Sequence, residues 1–166
     1  MATSDAEIGA APSLIDKLID REPSLATDSP TSRAQAIREL KKSLRRDLEW
    51  LLNTRRNPQA ASPESMEQLA HSLYNYGLPD FSTYSINSAR DRNQLLAELE
   101  NAINVFEPRL RDIRISLVES VGGPLRVLHF EIEGLLEMDP APEMVSFDTT
   151  LQLASGEYQI RGERGA

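Results

Sequence analysis

Apolar residues recur along this chain at two periods, and the change from one to the other divides it. Up to residue 106 the spacing is that of helices. Leu14, Ile15, Leu18 and Ile19 share one helical face, with Ser13 placed as N-cap. So short a helix is marginal alone, and the pattern predicts that it docks on something. Residues 21–31, with Pro23 and Pro30, read as a polar linker. From about Ser32 to Asn53, Ile37, Leu40, Leu44, Leu48 and Leu51 recur every three or four positions. Leu52 lies alongside, Trp50 sits at the edge of the stripe, and Asn57-Pro58 closes the segment. Ser62-Pro63 opens a third predicted helix with Met66, Leu69, Leu73 and Tyr74 inward. Gly77 fits its left-handed C′ site, Leu78 is expected to fold back on Leu73, and Pro79 prevents continuation. Ser88 with Asp91 resembles a capping box, and Leu95, Leu96, Leu99 and Ile103 carry a fourth helix towards Phe106.

The period then becomes two. Ile113, Ile115 and Leu117 alternate with Arg114 and Ser116, and Gly122-Gly123-Pro124 turns the chain. Leu128, Phe130 and Ile132 alternate with His129, Glu131 and Glu133. After a loop with Pro140 and Pro142 come Val145, Phe147, Thr149, Leu151 and Leu153, then a Ser155-Gly156 turn. Tyr158 and Ile160 form a short final strand, Glu157 to Arg161. Helices first and strands after them predict an α+β domain with an antiparallel meander of three to four strands. The 166 residues fit one domain. Its expected limits are a flexible N-terminus at 1–12, a single domain at 13–161 and a tail at 162–166. Within the domain, 13–31 is helix and linker, 32–106 the helical part and 107–161 the sheet.

Charge adds a surface to this outline. Residues 32–56 hold eight Lys or Arg against three acids, a balance of +5 within a chain of −8, so the remainder is −13. A cationic helix on an acidic body suggests docking to an acidic partner, with Lys41, Lys42 and Arg45 as the candidate face. The acidic whole argues against nucleic acid. Absence of cysteine excludes disulfides and thiolate metal sites. With only His71 and His129, read as helix surface and strand face, no metal or other cofactor is expected. The N-terminus lacks a basic start and an apolar run, and no stretch is long enough to cross a membrane. A cytoplasmic location without membrane insertion is the expectation.

The junction between the two periods is the segment Phe106-Glu107-Pro108-Arg109-Leu110-Arg111-Asp112. A proline there is ordinary punctuation, but a glutamate and an arginine bracketing it are not required for a turn. Pro108 disfavours the α region for Glu107. In an extended chain, Glu107 and Arg109 project from the same side, which predicts a rigid charge pair on the rim of the domain.

Several phrases in order resemble one family. They are Ser13 to Leu18, Arg46 to Arg56, Asn75 to Asp80, Phe106 to Leu110 and Val145 to Asp148. Together they are similar to TssE, the baseplate wedge subunit of the bacterial type VI secretion system, itself related to a tailed-phage wedge protein long labelled lysozyme-like. The resemblance spans roughly residues 13 to 161. It implies a structural subunit whose partners are other wedge subunits and the contractile sheath. The Glu-Pro-Arg motif of that family maps onto Glu107, Pro108 and Arg109, where it is associated with holding the subunit against the wedge's helical core bundle. The C-terminal strands resemble the part of a sheath subunit that accepts neighbouring strands. That marks Val145, Phe147, Leu151, Leu153, Tyr158, Gln159 and Ile160 as candidate templating positions. An edge strand is open to such pairing unless it is blocked.

The lysozyme label is tested by its chemistry. A glycosidase needs two carboxylates about 5 to 9.5 Å apart across a cleft. Arg109 beside Glu107 favours the ionised form, the wrong direction for a general acid at neutral pH. Asp80, Asp112 and Asp148 offer no convincing second carboxylate, and 5% aromatic content is thin for a sugar-binding cleft. No nucleophile elbow, phosphate loop or His-Glu-x-x-His stretch is present. No catalytic residue is therefore assigned. A regulatory binding module of the anti-adaptor kind is the alternative reading.

Overall fold

The computed structural model describes residues 13–19, 23, 33–58, 69, 71–81, 84–85, 88–118, 127–139, 141–152 and 155–163. Helices α1 (Leu14–Leu18), α2 (Arg33–Asn53) and α3 (Ala89–Phe106) precede strands β1 (Leu110–Val118), β2 (Val127–Leu136), β3 (Glu143–Gln152) and β4 (Glu157–Glu163). A single turn of 3-10 helix, Leu73–Asn75, lies between α2 and α3. All strands are antiparallel, in the order β1-β2-β3-β4. The α+β meander expected from the two periods is the observed architecture. The final strand runs to Glu163, two residues beyond its expected end.

The core lies where the two periods meet. Leu40, Leu44, Leu48, Leu51 and Leu52 of α2 and Leu95, Leu99 and Ile103 of α3 are buried against one face of the sheet. That face carries Leu110, Ile113, Phe130, Ile132, Val145, Phe147, Leu151, Tyr158 and Ile160. Phe130 meets Tyr158 edge-on at 6.0 Å between ring centres. The opposite face presents alternate, polar positions such as Glu131, Glu133, Ser146 and Asp148.

Three local expectations change. Leu73 and Tyr74 do not face inward: they are 85% and 45% exposed, while Asn75 and Leu78 are buried. A 3-10 turn has about three residues per turn, so the 3.6-residue spacing does not apply there. Leu78 pairs with the end of α2 and does not fold back on Leu73. It bridges to Arg55, with its N–H on the Thr54 carbonyl at 2.8 Å and its carbonyl accepting from the Arg56 N–H at 2.7 Å. Gly77 has φ +101° as expected, and a second reason requires it, because a Cβ there would lie 2.4 Å from the Thr54 oxygen. The Ser88 capping box is half made. Ser88 Oγ accepts from the Asp91 N–H, but the Asp91 carboxylate accepts from the Ser85 N–H at 2.9 Å.

Strand β1 begins at Leu110 and contains a bulge, where Asp112 adopts φ +50° between the paired residues Arg111 and Arg114. The extra residue lets both Leu110 and Ile113 face the core despite their odd separation. Gly134 lies beneath it, where a Cβ would approach the Arg111 oxygen to 3.3 Å. The linker beyond Pro23, the Ser62-Pro63 helix start with Met66, the Gly122-Gly123-Pro124 turn, Pro140 and Leu153 lie outside the described residues.

Candidate functional site

The junction between α3 and β1 folds into a buried cluster. Glu107 ends α3, donating its N–H to the Ile103 carbonyl at 2.8 Å, and its own carbonyl accepts from the Leu110 N–H at 3.1 Å. The chain therefore turns tightly at Pro108 where an extended conformation was expected. Glu107 and Arg109 still meet, but inside the protein, with Glu107 only 5% exposed. Arg109 Nε and Nη2 each reach a Glu107 carboxylate oxygen at 2.6 Å, a bidentate pair. The rim position is thus corrected to a buried one. The last turn of a helix draws the chain into hydrogen bonds with its own carbonyls, and the turn carries the pair inward.

Arg109 also reaches across to α2. Its Nη2 donates to Asp47 Oδ2 at 2.7 Å and its Nη1 to Ser43 Oγ at 3.3 Å. The other Asp47 oxygen accepts from Arg46 Nε at 2.9 Å and Nη2 at 2.7 Å. Arg46 Nη1 continues to Asp16 Oδ1 on α1 at 2.9 Å. Asp16 Oδ2 accepts from Ser43 Oγ and, at 2.7 Å, from Ser13 Oγ. Three carboxylates and two guanidiniums thus form one ladder from the α3–β1 turn through α2 to α1, and no ionic side chain in it is more than 25% exposed. Burial opposes the charge on Arg109, but the Glu107 and Asp47 contacts outweigh it and raise its pKa. Burial likewise works against Asp16, yet hydrogen bonds from Ser43, Ser13 and Arg46, with the Arg46 charge, hold its carboxyl well below the usual range. Tyr76, edge-on to Phe106 at 5.2 Å, is pushed up by burial and by the charges of Asp47 and Glu107.

Helix α1 sits on this ladder with its polar side down. Ser13 and Asp16 make a full capping box and bind α2, while Leu14, Ile15, Leu18 and Ile19 are 73%, 42%, 75% and 47% exposed. The expected docking takes place through the opposite face to the apolar one. Trp50, one turn beyond Arg46, is 49% exposed and stacks on that guanidinium at 5.0 Å.

The cationic stripe is thinner than its count. Lys41 pairs with Glu143 at 2.5 Å, Arg46 belongs to the ladder, and Arg56 reaches the Gly77 carbonyl and Glu98. Arg38, Lys42, Arg45 and Arg55 remain exposed. His71 lies in an exposed turn where a helix surface is expected, and His129 is on the outer face of β2.

At the far end of the sheet, Val145, Phe147, Leu151, Tyr158 and Ile160 face the core and Gln159 faces solvent. Asn53, read from sequence only as the end of a helix, occupies the outer side of β4. Its Nδ2 donates to the Tyr158 carbonyl and its Oδ1 accepts from the Tyr158 N–H, both at 2.9 Å. The Tyr158 main chain therefore points away from β3, and by alternation the Gln159 main chain points towards it and that of Ile160 outward.

The ladder has no free acid or base to offer. Glu107 and Asp47 are joined by one guanidinium, Asp112 is exposed on the bulge, Asp80 is exposed at the loop after Gly77, and Asp148 lies on the outer face of the sheet. Among the described residues, no group of His, Cys, Asp and Glu is placed to hold a metal ion. Among them too, no helix is long and apolar enough to cross a membrane. The arrangement is a mechanical joint that fixes three helices and a strand relative to one another.

No curated protein and no solved structure matched the chain. The family model for baseplate wedge protein gp25 matches residues 38–141, more than half of the 166. That span runs from within α2 to the loop between β2 and β3 and contains the whole Glu-Pro-Arg turn. It assigns the chain a structural role in a baseplate, among other baseplate components. The chain belongs to the baseplate wedge protein gp25 family.

Proposed function

We propose that this chain is the wedge subunit of a type VI secretion baseplate, of the TssE kind, and that it connects the wedge to the contractile sheath. The phrases that resemble TssE extend past the matched span on both sides, at Ser13 to Leu18 and Val145 to Asp148, which favours the secretion-system reading within the wider family. On this reading residues 13–161 act as one unit, on the cytoplasmic side of the inner membrane.

The observation that carries the wedge contact is the orientation of α1. A five-residue helix held by its polar side, with four apolar side chains turned to solvent, is built to meet another surface. Every guanidinium nitrogen of Arg109 is engaged within the chain, so the Glu-Pro-Arg motif acts by holding α1 in place. The apolar face of α1 then contacts the helical core bundle of the wedge, and Lys42 and Arg45 steer the approach. The double variant Leu14→Asp, Leu18→Asp should keep its stability within about 0.5 kcal/mol, since both positions are exposed. It should fail to copurify with the other wedge subunits at any salt concentration. The variant Lys42→Gln, Arg45→Gln should bind normally at high salt and associate more slowly only when the Debye length exceeds about 10 Å. Full recovery of the wedge by the Leu14, Leu18 variant would overturn the assignment.

The second contact is strand addition at β4. The outward-pointing main chain of Ile160 supports it, and Tyr158, Ile160 and the β3 residues Val145, Phe147 and Leu151 set the register beneath. Gln159 has its main chain directed to β3, so the informative backbone position is Ile160. N-methylation of the Ile160 amide in a semisynthetic full-length chain keeps every side chain and removes the edge donor. Sheath subunits should no longer bind the altered chain, and undiminished binding would rule out this edge.

A further inference from the structure

Asn53 does at one point of β4 what a neighbouring strand would do. Its carboxamide exchanges two hydrogen bonds of 2.9 Å with the Tyr158 main chain, one in each direction, as the facing residue of an antiparallel strand does. Nδ2 also donates to the Glu49 carbonyl at 2.8 Å, one turn back on α2. Leu48, Leu51 and Leu52 bury that last turn, so the core holds the carboxamide in place. On the other side of Ile160 the ladder changes step. Thr149 faces Ile160 and Phe147 faces Glu163, so Arg161 and Gly162 together stand opposite Asp148. This bulge breaks the every-second-residue series of outward main-chain groups. The Ile160 main chain is thus directed outward between a side chain that ends the ladder and a bulge that shifts it.

These two features limit how a strand can lie against β4. A slip of one residue turns every side chain to the wrong face of the sheet. A slip of two keeps the faces, and alternation alone does not prevent it. Towards Glu157, that slip would seat the strand on Tyr158, whose N–H and carbonyl Asn53 already holds. Towards Glu163, it meets the bulge. We propose that Asn53 is a register stop, which determines the residue of the added strand that lies opposite Ile160 and ends the pairing there. The side chain at that position shares the face of buried Ile160, and its two neighbours share the face of exposed Gln159. The strand that fits therefore reads polar, apolar, polar about its contact with Ile160.

This inference rests on the reading that β4 accepts a strand, and the experiment separates the two. The probe is the purified sheath subunit bound to the full chain. Amide exchange needs no variant. In the free chain the Tyr158 amide should exchange at least about tenfold more slowly than the Ile160 amide. Binding should slow the Ile160 amide at least about tenfold and leave the Tyr158 amide as it was. Crosslinking then reads the register. The chain has no cysteine, so Gln159→Cys supplies a single thiol at an exposed position. The Gln159 main chain is directed to β3, so an antiparallel partner faces it in the closer, non-hydrogen-bonded geometry, with Cα atoms about 4.5 Å apart. Single cysteines along the strand of a cysteine-free sheath subunit should form a disulfide with it at one position. With Asn53→Ala added, a second position two residues along should crosslink as well. Asn53→Ser, too short to reach Tyr158, should do the same, each form being tested below its own thermal midpoint. A single unchanged crosslink in both Asn53 variants would overturn the register stop and leave strand addition standing. A Tyr158 amide that exchanges as fast as that of Ile160 in the free chain would do so too. If the sheath subunit leaves the Ile160 amide unaltered and no position forms a disulfide, the strand reading fails and the stop fails with it.

Discussion

The ladder around Glu107 and Arg109 and the outer edge of β4 invite opposite judgements by eye. The ladder is crowded with charge, which suggests a binding site, yet each of its donors and acceptors meets a partner from the same chain. The edge is plain backbone, yet past Asn53 it leaves main-chain groups of Ile160 directed outward. Charge density marks where the fold is held, and outward-directed backbone is what the proposed strand addition would use. Buried ionic groups rarely add net stability relative to apolar ones, but removing one member strands the others.

The comparison is broken most directly at Arg109. Arg109→Ala leaves Glu107 and Asp47 buried without their shared counter-charge, and should cost about 3–5 kcal/mol, read as a fall in the denaturation midpoint. A loss below about 1 kcal/mol would show that the cluster is a surface feature, as an exposed pair is worth no more than that. In that case Arg109 would return as a direct partner contact.

At the edge, a smaller effect is expected from Asn53→Ala. It frees the Tyr158 N–H and carbonyl, and should cost about 1–3 kcal/mol for the lost hydrogen bonds. It also lengthens the open edge, so the purified variant should self-associate more than the parent in sedimentation. Unchanged stability together with unchanged association would mean that Asn53 does not guard the strand.

Acid provides the mildest test. The Asp16 carboxyl is depressed in the folded chain, so its contribution is present above its ordinary value of 3.8 and is lost only as pH falls below that. Trp50, the single tryptophan, stacks on Arg46 next in the ladder and reports on it. Its fluorescence should be flat from about pH 8 to 5 and change below about pH 4. The same titration of Asp16→Asn should lack that change. A transition centred near neutral pH would point to another group.

The contrast also sorts what the sequence could reveal. Periodicity located α2, α3 and all four strands because each follows its own repeat closely, as Leu40, Leu44, Leu48 and Leu51 do. Periodicity tells which residues share a face and says nothing of which face turns inward. In helix α1 the repeat groups Leu14 and Leu18 on one face, but it does not show that the side carrying Asp16 is the one that docks. The motif was legible as Glu107 and Arg109, but Asp47 and Ser43 are 62 and 66 residues from Arg109 in sequence. They lie four apart on one flank of α2, a spacing that could have flagged a polar seat within the amphipathic helix. Asn53 was invisible as an edge guard because its partner lies 105 residues away.

The bulge on β1 gives the sheet a direction. Asp112 with its left-handed backbone, exposed Arg114, and Arg111 tied to Glu137 at 2.8 Å make that border irregular and charged, devices that discourage a second chain from pairing. On the proposed reading, extension is then left to the β4 border. A sheet closed on one side and receptive on the other can begin a series but cannot be inserted into the middle of one. That asymmetry is the property required of the first unit in a polymer that grows one way.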